Sequence, residues 1–293
     1  MTYINENQHE ASSISTFEDF TELERIEIQL LLDGIYLKYG FDFRNYSFSS
    51  IRRRIWYRMK AEKIKTVTGL LEKVLHDSDT MGRLYADFSI NVTEMFRDPT
   101  FFKAFREKIV PVLKDLPSIR VWHAGCSTGE EAFSMAILLH EEGLYAKSRI
   151  YATDMNGKVL EKARTMKFPL HRMQTYTSNY INSGGKNSFS EYYTTEGDYA
   201  RFHSHLAENI VFAQHNLVTD GSFNEFHVII CRNVLIYFDQ DLQNRVHQLF
   251  YDSLANSGIL GLGSRESLSY SNYVNQYSEV DKQEKLYQKK NYV

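Results

Sequence analysis

The chain has 293 residues, with 34 Lys and Arg against 37 Asp and Glu, for a formal net charge of −3 at neutral pH. That length supports two domains and a sizeable core. The slight acidity argues against a nucleic-acid partner, and the two cysteines, Cys126 and Cys231, supply neither a disulfide framework nor a zinc site.

No apolar run reaches the ~18 residues needed to span a bilayer. The polar, acidic N-terminus does not read as a signal peptide. The ten histidines show no metal-ligand spacing; His203 and His205 alternate as on one strand face, without a third ligand. A cytoplasmic protein without a metal site is the expectation.

In chain order, residues 1–16 are polar, and Thr21 and Glu24 have capping-box spacing at the start of a helix. Leu23, Ile26, Leu30 and Leu31 then recur near helical period, and Gly40 offers a stop. A second helix is predicted from about Ser49, with Ile51, Ile55 and Met59 on one stripe and Arg52, Arg53, Arg54 and Arg58 off it. Leu70, Leu71, Val74 and Leu75 continue the helical pattern. Residues 17–88 thus read as a small all-helical domain, followed by a connecting segment at 89–115.

From about residue 116 the rhythm changes. Short β-rich runs at Ile119–Ala124, Ile150–Thr153, Ile210–Ala213, Phe226–Cys231 and Ile259–Leu262 alternate with helical stretches near Glu130–Glu141, after Asp154, and at about Gln240–Leu254. Such alternation predicts an α/β fold, a mostly parallel sheet covered on both faces, over 116–293. Residues 170–208 break the rhythm and predict a small antiparallel β insertion with a hairpin turn at Glu196–Asp198.

The stretch from Val121 to Glu131 carries the most information. An apolar run enters a turn with Gly125 and Gly129, and an amphipathic helix leaves it. A strand, glycine turn and helix in this order hold a nucleotide-like cofactor. Ala124 and Cys126 break the dinucleotide glycine pattern, and Glu130 and Glu131 would repel a pyrophosphate at the helix start. A phosphate-free, positively charged cofactor such as S-adenosylmethionine fits.

Asp154 ends the next strand, where an acidic residue accepts ribose hydroxyls. It could instead cap the following helix; with the glycine turn, ribose binding is favoured. Asn216-Leu217 and Arg232-Asn233 sit at two further strand ends, the former suited to an adenine ring. Asn91, Thr93 and Arg97 could project into the same cleft. The four arginines of the second helix are either a solvated face or, since acidic residues are scarce nearby, a docking surface for an acidic protein.

Taken together, Asn91–Arg97, Ala124–Glu131, Asp154, Asn216-Leu217 and Arg232–Tyr237 resemble the CheR family of chemoreceptor glutamate methyltransferases. The resemblance covers about residues 20–290 and is carried by Arg232-Asn233-Val234-Leu235-Ile236-Tyr237-Phe238 and by Asn91-Val92-Thr93 with Phe96-Arg97. It implies a Rossmann-like methyltransferase domain with a β insertion, S-adenosylmethionine as methyl donor and a receptor glutamate as acceptor. Asn91, Thr93, Arg97, Glu130, Asp154, Asn216, Leu217, Arg232 and Asn233 would line the cofactor pocket. Arg97 and Tyr237 would lie near the transferred methyl. Arg52, Arg53, Arg54 and Arg58 would dock onto the receptor's helical cytoplasmic domain.

Two departures stand out. Gly263-Ser264-Arg265-Glu266 replaces the family's Gly-His-Ser-Glu, and the insertion's loop around Tyr192–Asp198 is shorter than in members that tether to a receptor's C-terminal peptide. The expectations are therefore no strong pentapeptide tethering, no nucleic acid, no membrane insertion and a monomer. A non-catalytic binding module, a methyltransferase for another acceptor and an NAD-dependent oxidoreductase are the competing readings.

Overall fold

The structure, a computed structural model, describes residues 21–89 and 93–291, so Asn91 lies outside the described residues. The first region holds four helices: α1 (Glu22–Tyr39), α2 (Phe48–Glu62), α3 (Val67–His76) and α4 (Ser78–Phe88). The Thr21 hydroxyl accepts from the Glu24 N–H at 3.2 Å and caps α1, and Gly40 closes it at φ 74°. Glu24 does not complete the capping box. Its carboxylate instead accepts from Arg52 and Trp56 of α2, both at 2.7 Å.

The predicted α2 stripe of Ile51, Ile55 and Met59 is buried against Ile28, Leu31, Leu32 and Ile35 of α1 and against Leu70, Val74, Leu84 and Phe88. Of the four periodic residues expected in α1, only Leu31 is buried; Leu23, Ile26 and Leu30 are 65%, 52% and 50% exposed. Apolar residues run almost all round this helix, so period alone does not choose the inward face. Packing on α3 does.

The second region opens with α5 (Pro99–Ala104), which passes through a π-helical turn at Phe105–Ile109 into α6 (Val110–Lys114). The wider turn accommodates Pro111, which has no N–H and whose ring crowds the carbonyl four residues back. Then follow β1 (Ile119–Ala124), α7 (Glu130–Glu141), β2 (Ser148–Asp154), α8 (Gly157–Arg164), β3 (Lys167–Pro169), α9 (Met173–Asn182), β4 (Tyr193–Glu196), β5 (Tyr199–Phe202), β6 (Ile210–Gln214), β7 (Phe226–Cys231), α10 (Gln240–Ser253), β8 (Leu254–Leu262), β9 (Tyr277–Asp281) and β10 (Leu286–Lys289).

The main sheet has the order β6-β2-β1-β7-β8-β10-β9. Its first five strands are parallel, and β10 runs antiparallel to both neighbours. This is a Rossmann-like methyltransferase sheet, with the strand order switching direction between β1 and β7. Side chains alternate between two cores: Val121, Val228 and Ile230 face α7 and the insertion, whereas Trp122, Ile229 and Cys231 face α10.

A second sheet of order β3-β5-β4 forms the insertion, its hairpin turning after Glu196 as the sequence predicts. The stretch also holds the helix α9, which the broken rhythm did not announce. Met173, Tyr176 and Tyr180 are buried at helical spacing within it. The helical region joins the sheet region through a Tyr46–Phe238 bridge, with Ser47 N donating to Tyr237 O at 2.7 Å and Asp239 N to Asn45 O at 2.9 Å. Among the described residues no helix is long and apolar enough to cross a membrane.

Candidate cofactor cleft at the switch point

The carboxyl ends of β1, β2, β6 and β7 open into a cleft of about 940 Å³, continuous with solvent. The helical region contributes Tyr46, Phe88 and Ser89 to its wall, none of them foreseen from sequence.

The floor is the turn after β1. Gly125, Ser127 and Gly129 are left-handed (φ 83°, 50° and 94°). The N–H groups of Gly125 and Cys126 both donate to Thr153 O at 2.8 Å, tying the turn to the end of β2. A Cβ on Gly125 would lie 2.5 Å from a Val234 methyl, so the turn and the end of β7 meet without room for a side chain.

Asp154 lines the cleft, its Oδ2 accepting from Ser127 N and its Oδ1 from Asn156 N, both at 2.9 Å. It does not cap α8; Asn156 does. Burial raises the Asp154 pKa, opposed by the two N–H bonds.

The acidic turn resolves into two roles. Glu130 does not line the cleft: Thr128 Oγ1 donates to its carboxylate at 2.6 Å and the Tyr176 hydroxyl at 3.4 Å, and burial raises its pKa. Glu131 is the carboxylate in the wall. Consecutive helical residues point about 100° apart, so only one of the pair can face the ligand, and the sequence does not say which.

Glu131 joins a buried network. His123 Nδ1 lies 3.0 Å from its Oε1, and Arg232 Nη1 donates to its Oε2 at 2.8 Å. Arg232 Nη2 donates to Asp98 at 2.6 Å and to the Arg97 carbonyl at 3.1 Å, and the guanidinium stacks 4.2 Å over Phe101. Burial pushes Glu131 up, but His123 and Arg232 outweigh it and hold its pKa below the ordinary carboxylate value. Arg232 is therefore no surface residue. Its buried Nε has no hydrogen-bond partner among the described residues.

Thr93, Glu94 and Arg97 line the cleft beside this network. The insertion holds this segment: Arg172 donates to Thr93 O and Asn179 to Met95 O, each at 3.1 Å. Phe96 and Asp98 are left-handed (φ 50° and 54°), as are Ser127 and Asn233. Non-glycine residues adopt this conformation at an energetic cost, and Ser127 and Asn233 among them line the cleft.

Asn216, Leu217, Asn233 and Tyr237 complete the lining, together with Met155 and His215, which sequence reasoning missed. The Asn216 side-chain carbonyl closes a local turn onto Val218 N at 3.0 Å, leaving its amide group for a ligand.

The arginines of α2 are less free than expected. Arg52 pairs with Glu24 at 2.7 Å, and Arg58 with Asp87 at 2.6 Å and Glu62 at 3.2 Å. Arg54 is half-buried between the Asp87 carbonyl and the Tyr237 ring. Acidic partners are thus present, which corrects the premise drawn from sequence; only Arg53 is fully exposed. His203 and His205 stack on each other, and no group of residues suited to a metal ion occurs among the described residues.

Carboxylates and guanidinium groups sharing one wall, with no phosphate cradle, fit the zwitterionic end of S-adenosylmethionine. Residues 91–284 match the CheR methyltransferase, SAM binding domain, and residues 26–89 the CheR methyltransferase, all-alpha domain. A protein of Pseudomonas putida named "Putative methyltransferase Cher3" is 47% identical over 90% of this chain and 97% of its own length. Proteins named chemotaxis protein methyltransferase from Listeria innocua and Salmonella typhimurium are 28% and 27% identical, over 78% and 83% of this chain and 85% and 84% of theirs. With both regions matched and the cleft built from the matched segments, the chain belongs to the CheR methyltransferase family.

Proposed function

We propose that the protein transfers a methyl group from S-adenosylmethionine to glutamate carboxylates of a chemoreceptor cytoplasmic domain, as the names of its relatives suggest. The observation that carries this reading is the placement of Arg97 and Tyr237 in the wall of a cleft whose other groups suit the cofactor.

When bound, the cofactor supplies an electrophilic methyl on a sulfonium sulfur. Asp154 would accept the ribose hydroxyls, and Asn216 and Leu217 would contact the adenine. Thr93, Glu131, Arg232 and Asn233 would hold the amino-acid end and the sulfur, with Asn91 assigned to the same wall by resemblance alone. Glutamate ionises near pH ~4.3 and is already a carboxylate at neutral pH, so no general base is needed. The cleft's task is to strip water from one oxygen and align it with the methyl–sulfur bond. Arg97 would guide that carboxylate by charge-assisted hydrogen bonds, and Tyr237 would orient it. Receptor docking would fall to the outer face of α2, around Arg53.

The test is to incubate the protein with S-adenosylmethionine and a chemoreceptor cytoplasmic fragment and to map the modified peptides by mass spectrometry. Methyl groups on glutamate are the expected result. Methyl groups confined to lysine or cysteine would overturn the reading.

A further inference from the structure

Glu266 does not line the cleft, yet its carboxylate is buried and collects four backbone N–H groups. Oε1 accepts from Val234 at 2.8 Å and Leu235 at 2.7 Å, and Oε2 from Asn233 at 3.0 Å and Gly263 at 2.6 Å. Three consecutive N–H groups converge on one anion when a residue among them is left-handed, and Asn233 has φ 61°. Charge-assisted bonds of this kind are stronger than neutral ones. They are the natural compensation for a carboxylate taken out of water.

Gly263 explains itself from the other side. A Cβ there would lie 2.7 Å from Glu266 Oε2 and 2.9 Å from Asn233 N, inside the clamp. What the clamp holds matters to the cleft. Asn233 and Val234 line it, Val234 packs on the Gly125 turn, and Tyr237 N donates back to Val234 O at 3.1 Å, so the same turn fixes the start of the segment carrying Tyr237.

We propose that Glu266 is a positioning residue for methyl transfer. Its carboxylate clamps the ends of β7 and β8 together and so sets where Asn233 and Tyr237 meet the cofactor and acceptor. This rests on the methyltransferase reading of the cleft. It also assigns a meaning to the departure at Ser264-Arg265: the two middle positions are free to vary, because the clamp uses Gly263 and Glu266.

The test compares the full-length wild type with Glu266→Gln, Glu266→Asp and Gly263→Ala. Calorimetry would measure S-adenosylmethionine affinity, and single-turnover assays at saturating cofactor the rate per folded molecule. Gln presents an amide NH2 to two N–H donors, so its affinity should fall roughly tenfold and its rate on the order of 100-fold. Asp keeps the charge on a shorter arm and should recover part of both. Gly263→Ala wedges the clamp with the carboxylate intact and should reproduce both losses. Folded variants with wild-type affinity and rate would overturn the clamp. So would losses in total activity that vanish once expressed per folded molecule, the mark of a merely structural role. A wild type that does not bind S-adenosylmethionine would overturn the methyltransferase reading and the clamp with it.

Discussion

Arg97 and Asp154 both line the cleft, and their replacement should separate chemistry from binding. Arg97→Ala is expected to lower turnover at saturating cofactor by about 100-fold, the loss typical of one preorganised charge-bearing donor, with a small change in cofactor affinity. Asp154→Asn should weaken S-adenosylmethionine binding by about 1.5–3 kcal/mol; steady-state kinetics with calorimetry would read both. The pH dependence follows from the sign of the shift. Burial raises the Asp154 pKa, so the carboxylate gains its proton at a higher pH than an ordinary aspartate does. Wild-type affinity should therefore decline on mild acidification, beginning above the usual aspartate range, and the Asn variant should flatten that decline. The sequence announced Asp154 through its strand-end position. It could not choose between Glu130 and Glu131, because the choice depends on Arg232 and His123 arriving from other strands. The role of Glu266 stayed hidden for a similar reason: three of its four partners are backbone groups of a turn 31–33 residues away.

At the scale of the element, α2 is held by ion pairs as much as by its apolar stripe. Arg83 and Lys73 at 2.7 Å, and Arg58 at 3.2 Å, converge on Glu62 and lower its pKa to about 2. A depressed carboxylate pKa contributes stability that is present above the ordinary value and lost as pH falls through the folded one. Glu62→Gln should cost about 1 kcal/mol at neutral pH, a modest figure because two of the three partners, Arg83 and Lys73, are solvent-exposed. The gap between variant and wild type should narrow between about pH 4.5 and 2, where urea titrations would follow it. The elements readable from sequence were those with strong period and strong ends. Runs such as Ile119–Ala124 and Phe226–Cys231 are apolar because both faces of their strands are covered. By contrast β9 is an edge strand, mostly polar with only Tyr277 buried, and gives no such signal. The helix α9 was obscured by its Tyr, Thr, Ser and Asn content, residues that favour strands and turns.

Across the whole molecule, the helical region forms part of the wall of the cleft. Tyr46 packs on Phe238 at 5.0 Å between ring centres, Tyr85 donates to Met155 O at 2.9 Å, and Arg54 lies over Tyr237 at 5.4 Å. A receptor helix resting on α2 would thus touch the element that supports the proposed catalytic wall, which fits an acceptor carboxylate entering from that side. The central claim is that this cleft esterifies carboxylates. The most direct measurement is transfer of labelled methyl from S-adenosylmethionine to chemoreceptor-containing membranes, followed by mild alkali. The account predicts label on the receptor that alkali releases as methanol, the behaviour of a carboxyl methyl ester. Label that survives alkali would place the methyl on nitrogen or sulfur and contradict it.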